Sequence, residues 1–323
     1  MVRIGFIGCG GIARLHMSNL ARIENVEIVA HTDVDIKKAE ETARLYGGRA
    51  YSSYRDMLNK EDLDAVYVCT PPFAHGFEVE VVEKGVHLFV EKPVAMKIDV
   101  AKEVLRAIQR YGVINSVGYM LRYLKTTERM RRMASESTVG MALGFYIDNF
   151  WLSPSHWVLN KDKSGGQLVE HTTHVFDLAR YVVGEIDTIY AELDNILLRD
   201  IPGITMENEA VVLMRFKNRA VGMIAAIWAS KDTHKFIKLE VYAKDYVLEH
   251  MGRDLRVYRD GYIEEYKARL DPYFEEDRAF IEAVKKGSME PIKCTYEDGM
   301  RTLAATIAAN VAYAEKRIVK LQI

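Results

Sequence analysis

Only three cysteines occur in 323 residues, Cys9, Cys69 and Cys294. Odd in number and far apart, they offer neither a disulfide framework nor metal-ligand spacing, and such usage suits a reducing cytoplasm. Long apolar runs are missing as well. No stretch reaches the roughly 18 apolar residues that a membrane span needs, and the first residues lack the basic region, apolar run and small-residue cleavage site of a secretory leader. Charge of one sign is not in excess: 44 Lys and Arg face 46 Asp and Glu, a formal net charge of -2. Without a broad basic surface to release counterions, nucleic acid is not an expected partner, and neither is a membrane. Repeats and low-complexity linkers are absent. What is present is an ordinary globular balance, 49% apolar and 28% charged, in a chain long enough for two cores.

The first part alternates short apolar runs with amphipathic stretches. VRIGFIG, VEIVAHTD, AVYVCTPP, VHLFVEKP and VINSVGY read as strands, and segments near 12–22, 35–46, 73–84 and 99–111 read as helices. The strand runs are apolar on both faces, as in a parallel sheet covered by helices on both sides, so a Rossmann-type, doubly wound α/β domain is expected over residues 1–120. After Tyr119 the pattern changes. A basic helix around 125–135, a helix near 171–183 and a succession of strands from DTIYAELDNIL to DLRVYR predict an α+β domain with a mostly antiparallel open sheet over residues 121–323, closed by helices near 274–286 and 296–316.

The glycines of GFIGCGGIA, residues 5–13, stand where the first strand meets the first helix. Gly8, Gly10 and Ala13 fit the dinucleotide fingerprint: a glycine for the tight turn, a second where a pyrophosphate approaches, and a small residue for helix–strand packing. Gly11 and Ile12 open the helix whose unpaired N–H groups would face the phosphates. Asp33 follows the second strand, twenty residues after Ala13, where a carboxylate would accept from the adenosine ribose hydroxyls and repel a 2′-phosphate. NAD is therefore expected ahead of NADP, although Lys37 and Lys38 lie nearby.

Two further stretches, CTPPFAH (69–75) and FVEKP (89–93), fall at the carboxyl ends of strands, the ligand-binding edge of an open α/β sheet. Together with the glycines, with GGQLVEHTTHVFDLARYVVGE (165–185) and with the closing YFEEDRAFIEAVKKG and YEDGMRTLAATIAANVAYAEKRIVKL, they make the chain resemble the Gfo/Idh/MocA family along nearly its whole length. The resemblance is carried most specifically by Glu91-Lys92-Pro93 and by Glu170 followed four residues later by His174. It implies a nicotinamide-dependent oxidoreductase acting on a sugar or polyol. Thr70 and Pro71 would line the nucleotide, His75 would lie near the nicotinamide, and Glu91 near its ribose. Asparagine is frequent in the family where this chain has Pro72, and aspartate where it has Glu170. Cys69 reads as a small buried hydrophobe.

Removing a hydride from an alcohol also requires moving the hydroxyl proton, for which a cation and an imidazole are suitable parts. Lys92 and His174 are the candidates, with Glu170, one turn away on a helix, to orient the imidazole and steady its charge. The plainer readings are an exposed Lys92–Glu91 ion pair and a core histidine. Adjacent Glu170 and His171 point about 100° apart on a helix and no third ligand follows at familiar spacing, so no metal is expected. His171, Tyr119, Arg122 and Trp157 are candidate substrate contacts, with Tyr123, Trp151 and His156 beside them; for Arg122 a salt bridge is an equal alternative. In EAVVLMRF and AVGMIAAIWA both faces are apolar. Helices of one domain cover one side of a sheet, so a homodimer or homotetramer through this sheet is expected. The reading is an NAD-dependent dehydrogenase of a sugar, sugar derivative or cyclitol hydroxyl. Alternatives are a hydrolase or epimerase that oxidises its substrate transiently, a reductase of a C=C or C=N bond, and a non-catalytic NAD-binding regulator.

Overall fold

Val2–Ile7 (β1) is apolar and buried at every position but Arg3, and it pairs in parallel with Val26–Thr32 (β2) on one side and Ala65–Val68 (β4) on the other. Arg49–Tyr51 (β3) extends the sheet beyond β2, and His87–Val90 (β5) and Asn115–Val117 (β6) extend it beyond β4. The six-strand order is 3-2-1-4-5-6, the doubly wound arrangement whose crossovers reverse direction between β1 and β4. The helices are Gly11–Leu20 (α1), Ile36–Tyr46 (α2), Tyr54–Lys60 (α3), Glu78–Glu83 (α4) and Ile98–Tyr111 (α5). β3 and α3 were not expected from the sequence, because three residues carry no period and seven make only about two helical turns. The single helix expected over 73–84 is a 3-10 turn at Pro72–Ala74 followed by α4. Gly76, at φ +123°, lies between them.

This computed structural model describes residues 1–150, 152–153 and 156–322. Its contacts divide the chain into Met1–Tyr123 with Leu270–Met300, and Leu124–Arg269 with Arg301–Ile323. The sequence reading assigned everything after residue 120 to the second domain; residues 270–300 instead pack with the first unit. The reason is visible in Pro272–Lys286 (α10). Its Phe280 and Ile281 enter the core built by Phe6, Tyr67 and Phe89, with Phe280 edge-on to both Tyr67 and Phe89 at ring distances of 5.5 and 5.6 Å.

The second unit begins with Lys125–Glu136 (α6) and Val139–Asn149 (β7), then the short helices Lys161–Ser164 (α7) and Gln167–Glu170 (α8), and Thr173–Val183 (α9). Seven more strands follow: Ile186–Asp194 (β8), Glu209–Phe216 (β9), Val221–Ser230 (β10), Phe236–Ala243 (β11), Val247–Met251 (β12), Asp254–Arg259 (β13) and Tyr262–Tyr266 (β14). Val319–Lys320 (β15) completes a nine-stranded sheet of order 14-13-12-11-7-10-9-8-15. Only β7 and β10 run parallel in it. Helices α6 and α9 pack on one face. There β9 buries Val212, Met214 and Phe216, while Val211 and Leu213 point to the other face at 45% and 52% exposure.

Beneath α6, His250 of β12 is completely buried, with Nε2 3.1 Å from the Thr127 hydroxyl. Burial outweighs the nearby Asp254 and lowers its pKa from 6.5 to about 4. The unfolded chain therefore takes up a proton at higher pH than the folded one. Stability from the neutral imidazole is present above pH 6.5 and drains as pH falls toward 4, by about 3 kcal/mol. In denaturant titrations across that interval, His250→Gln should show a shallower loss of stability than the parent; parallel acid slopes for the two proteins would contradict it.

Candidate active site

Gly8 is demanded by packing. At φ +94°, a Cβ placed there would lie 2.6 Å from the carbonyl oxygen of Cys69, where β1 runs against the end of β4. Gly10 and Gly11 are different, because a Cβ at either meets nothing within 4 Å. Gly10 is the N-cap of α1 and has no side chain to offer, and the first turn holds no acidic residue. Helix N-termini carry N–H groups without intrahelical partners and a partial positive charge, so this end is open and prepared for an anion. Asp33 closes the cradle from β2. Its Oδ2 accepts from the Cys9 N–H at 2.9 Å and its Oδ1 from the Asp35 N–H at 2.9 Å. From the end of β4, the buried Thr70 hydroxyl has no hydrogen-bond partner among the described residues. An open phosphate seat, a carboxylate at the second strand and an orphaned hydroxyl beside the switch point all fit a dinucleotide.

The other residues of this edge divide into two kinds. Lys92 is half-buried just beyond β5, followed by a cis peptide to Pro93. Its backbone N–H donates to Glu91 Oε2 at 3.0 Å. Glu91 turns inward instead of toward a ribose: it is 6% exposed, its Oε1 lies 3.0 Å from His16 Nε2, and a Cβ on Gly118 would fall 2.7 Å from that same oxygen. His75 also faces inward. Its Nδ1 is bonded to the buried carboxylate of Glu78 and its Nε2 lies 3.3 Å from the Thr70 carbonyl, so the ring braces the loop. Arg122, 2% exposed, donates to Asp298 and to the Lys293 carbonyl, at 2.9 and 2.8 Å. It is a packed ion pair inside the first unit. Tyr119 beside it is 1% exposed.

In the second unit Glu170 ends α8 and His174 lies in α9, with the chain broken at His171 and Thr172. The continuous helix expected from 171 to 183, with Glu170 one turn before His174, is therefore interrupted. The amide of His174 lies 3.4 Å from the His171 carbonyl, and the amide of Thr172 donates back to Gln167. His174 is buried to 8% exposure. His171 lies against the fully buried Trp228, ring centroids 3.9 Å apart, and edge-on to Tyr146 at 5.9 Å. Trp157 is partly exposed beside His156, rings 5.6 Å apart; Trp151 lies outside the described residues.

Four residues that the sequence reading missed join Glu91 in the first unit. His16 of α1 lies between Glu91 and Asp277 of α10, with Nδ1 2.7 Å from Asp277 Oδ1, and Asn19 donates to the other Asp277 oxygen at 2.9 Å. Glu276 is buried beside them. The available signal was the apolar face of α10, where Glu276 and Asp277 stand four and three residues before Phe280. His16, Glu91 and Glu276 bring ligand atoms within 4.8 Å of one another, among the described residues the one such group of a size to hold a metal. Burial alone would lower the His16 pKa, but attraction and hydrogen bonding by Asp277, with hydrogen bonding by Glu91, hold it well above its ordinary range. A protonated imidazole has no lone pair for an ion.

A phosphate seat and carboxylate on a 3-2-1-4-5-6 parallel sheet, with a lysine just beyond its fifth strand, define a nicotinamide-nucleotide oxidoreductase. The chain belongs to the Gfo/Idh/MocA oxidoreductase family: residues 2–119 match its NAD-binding Rossmann fold and residues 127–249 its C-terminal domain. It is 28% identical to myo-inositol 2-dehydrogenase of Thermotoga maritima, covering 99% of both chains. With scyllo-inositol 2-dehydrogenase (NAD(+)) of Bacillus subtilis it shares 27% identity over 74% of this chain and 71% of that one. The solved levoglucosan dehydrogenase complex with NADH and L-sorbose superposes with a TM-score of 0.90 at 20% identity, covering 100% of this chain and 99% of that one. Among the described residues no helix is long and apolar enough to cross a membrane.

The two kinds of glycine separate folding from binding. Gly8→Ala should lower the melting temperature markedly, whereas Gly10→Ala should melt with the parent and bind NADH about tenfold or more weakly, because its methyl fills the phosphate seat. Parent-like NADH affinity of Gly10→Ala by fluorescence titration would show that the dinucleotide does not sit there.

Proposed function

We propose that the protein is an NAD-dependent dehydrogenase of a cyclitol, sugar or sugar derivative, working in a reducing cytoplasm and assembled as a homodimer or homotetramer. The observation that carries the reaction is the strand-edge grouping of the first unit: an open helix N-terminus after β1, Asp33 after β2, Thr70 after β4 and Lys92 after β5. Asp33 favours NAD over NADP, because its carboxylate suits ribose hydroxyls and repels a 2′-phosphate. The substrate class is supported by the inositol dehydrogenases among the relatives.

NAD⁺ supplies the hydride acceptor when bound. The Lys92 ammonium donates to the hydroxyl oxygen and stabilises its developing negative charge. His174 takes the hydroxyl proton as the C–H hydride leaves, so that the secondary alcohol becomes a ketone. Glu170 supports the imidazolium that this creates, and His171 and Trp157 offer hydrogen bonding and an aromatic face to the ring. Tyr119 and Arg122 are buried in the first unit, Arg122 on Asp298, and are given no substrate contact in this reading.

Assembly is argued from the open face of the nine-stranded sheet. Val211, Leu213, Val221 and Tyr242 are each more than a third exposed on it, a concentration of apolar surface uncommon on a monomer. A second copy of the same face is the occupant that covers it symmetrically. Among the described residues the three cysteines are buried and form no disulfide.

A panel of inositols, anhydrosugars, sugar phosphates and free sugars with NAD⁺, followed by NADH absorbance, tests the reaction. Lys92→Ala and His174→Ala should each lower kcat on the best substrate by about a hundredfold or more while NADH affinity changes little. Turnover of either variant within about threefold of the parent would remove that residue from the chemistry. By sedimentation the parent should be a dimer or tetramer at micromolar concentration, and Leu213→Glu should shift it toward monomer; a monomeric parent would contradict the assembly.

A further inference from the structure

We propose that His16 is a positioning residue for this reaction: clamped between Asp277 and Glu91, it fixes the carboxylate that in turn fixes the backbone of Lys92. The inference rests on the role given to Lys92 above.

The chain of contacts is short and buried up to its last link at the half-buried Lys92. Asp277 Oδ1 lies 2.7 Å from His16 Nδ1, His16 Nε2 lies 3.0 Å from Glu91 Oε1, and Glu91 Oε2 accepts from the Lys92 N–H at 3.0 Å. His16 and Asp277 are completely buried. Asn19 holds the second Asp277 oxygen at 2.9 Å, so the far end is anchored too. Gly118 leaves Glu91 no slack, since even one added carbon there would fall within 3 Å of the carboxylate. Around the imidazole are Tyr67, Phe89 and Tyr273, rings at 5.5, 5.0 and 6.3 Å.

Charge makes the clamp firm. A neutral imidazole carries one N–H and can donate to only one carboxylate, whereas both neighbours here are carboxylates. With Asp277 and Glu91 outweighing the cost of burial, His16 stays an imidazolium and donates to both. Burial, and then the surrounding carboxylates against the pull of His16, push the Glu276 carboxyl well above its ordinary range. The last link is a main-chain N–H, not the ammonium. What the network sets is therefore the place from which the Lys92 side chain departs. A displacement of an ångström at a catalytic group can cost about a hundredfold in rate.

The test is a double-mutant cycle on the substrate that the panel identifies. His16→Gln should lower kcat about tenfold or more, with NADH affinity within about threefold of the parent. In a Lys92→Ala background the same change should cost less than about twofold, because the group it positions is gone. A merely structural histidine would lower activity by the same factor in both backgrounds, and that result overturns the proposal. So does kcat of His16→Gln within about twofold of the parent. If His16→Gln does not fold, Asp277→Asn replaces it in the same cycle: it keeps the shape, removes the charge and should give the same background-dependent loss. If Lys92→Ala alone is harmless, or no panel member reduces NAD⁺, the reading of Lys92 has failed and this inference falls with it.

Discussion

A histidine with no access to water, held between two carboxylates, is the constraint on which the first unit depends. Burying an ion costs several kcal/mol even after relaxation, and the cost is recovered only when partners are close and well aligned. His16 meets that condition through elements far apart in sequence: its own helix α1, the turn after β5 that carries Glu91, and α10 that carries Asp277. The same histidine stands five residues after Gly11, where α1 opens its N-terminus. The phosphate seat and the lysine edge are thus joined under the sheet by one residue.

The second unit solves a different problem. Its sheet buries one apolar face under α6 and α9 and leaves another apolar face open. Alternation along β9 and β10 already required this, because Val211, Leu213 and Val221 fall on the opposite side from Val212, Met214, Ile224 and Trp228. The buried side supports Trp228, on which His171 rests. Core packing on one face and aromatic support for a candidate substrate contact are two ends of the same strand residue.

Much of this was legible in the residues. Apolar strand runs, the glycine spacing and Asp33 all report local geometry, and local geometry follows from short stretches of chain. The resemblance carried by Glu91-Lys92-Pro93 and by Glu170 and His174 led to the right family. What escaped was non-local. Glu91 reads as a cofactor ligand until His16 and Asp277, 75 residues before it and 261 residues after His16 respectively, are brought against it by folding. Arg122 finds Asp298 in the same way, across 176 residues. The break at His171 and Thr172 is invisible to helical periodicity, because the turn it replaces has nearly the same length.

The return of α10 to the first unit has a consequence for how such a chain can be made and rearranged. Synthesis runs from the amino end, yet the nucleotide-binding unit includes residues 270–300, so the unit cannot close until those residues, and the whole strand-rich stretch before them, have left the ribosome. Until then His16 and Glu91 have no Asp277, and Tyr67 and Phe89 lack the Phe280 that covers them. The dinucleotide fold here is not a cassette that can be lifted out at residue 123 and joined to another catalytic partner. Recombination that respects its core must exchange both segments together.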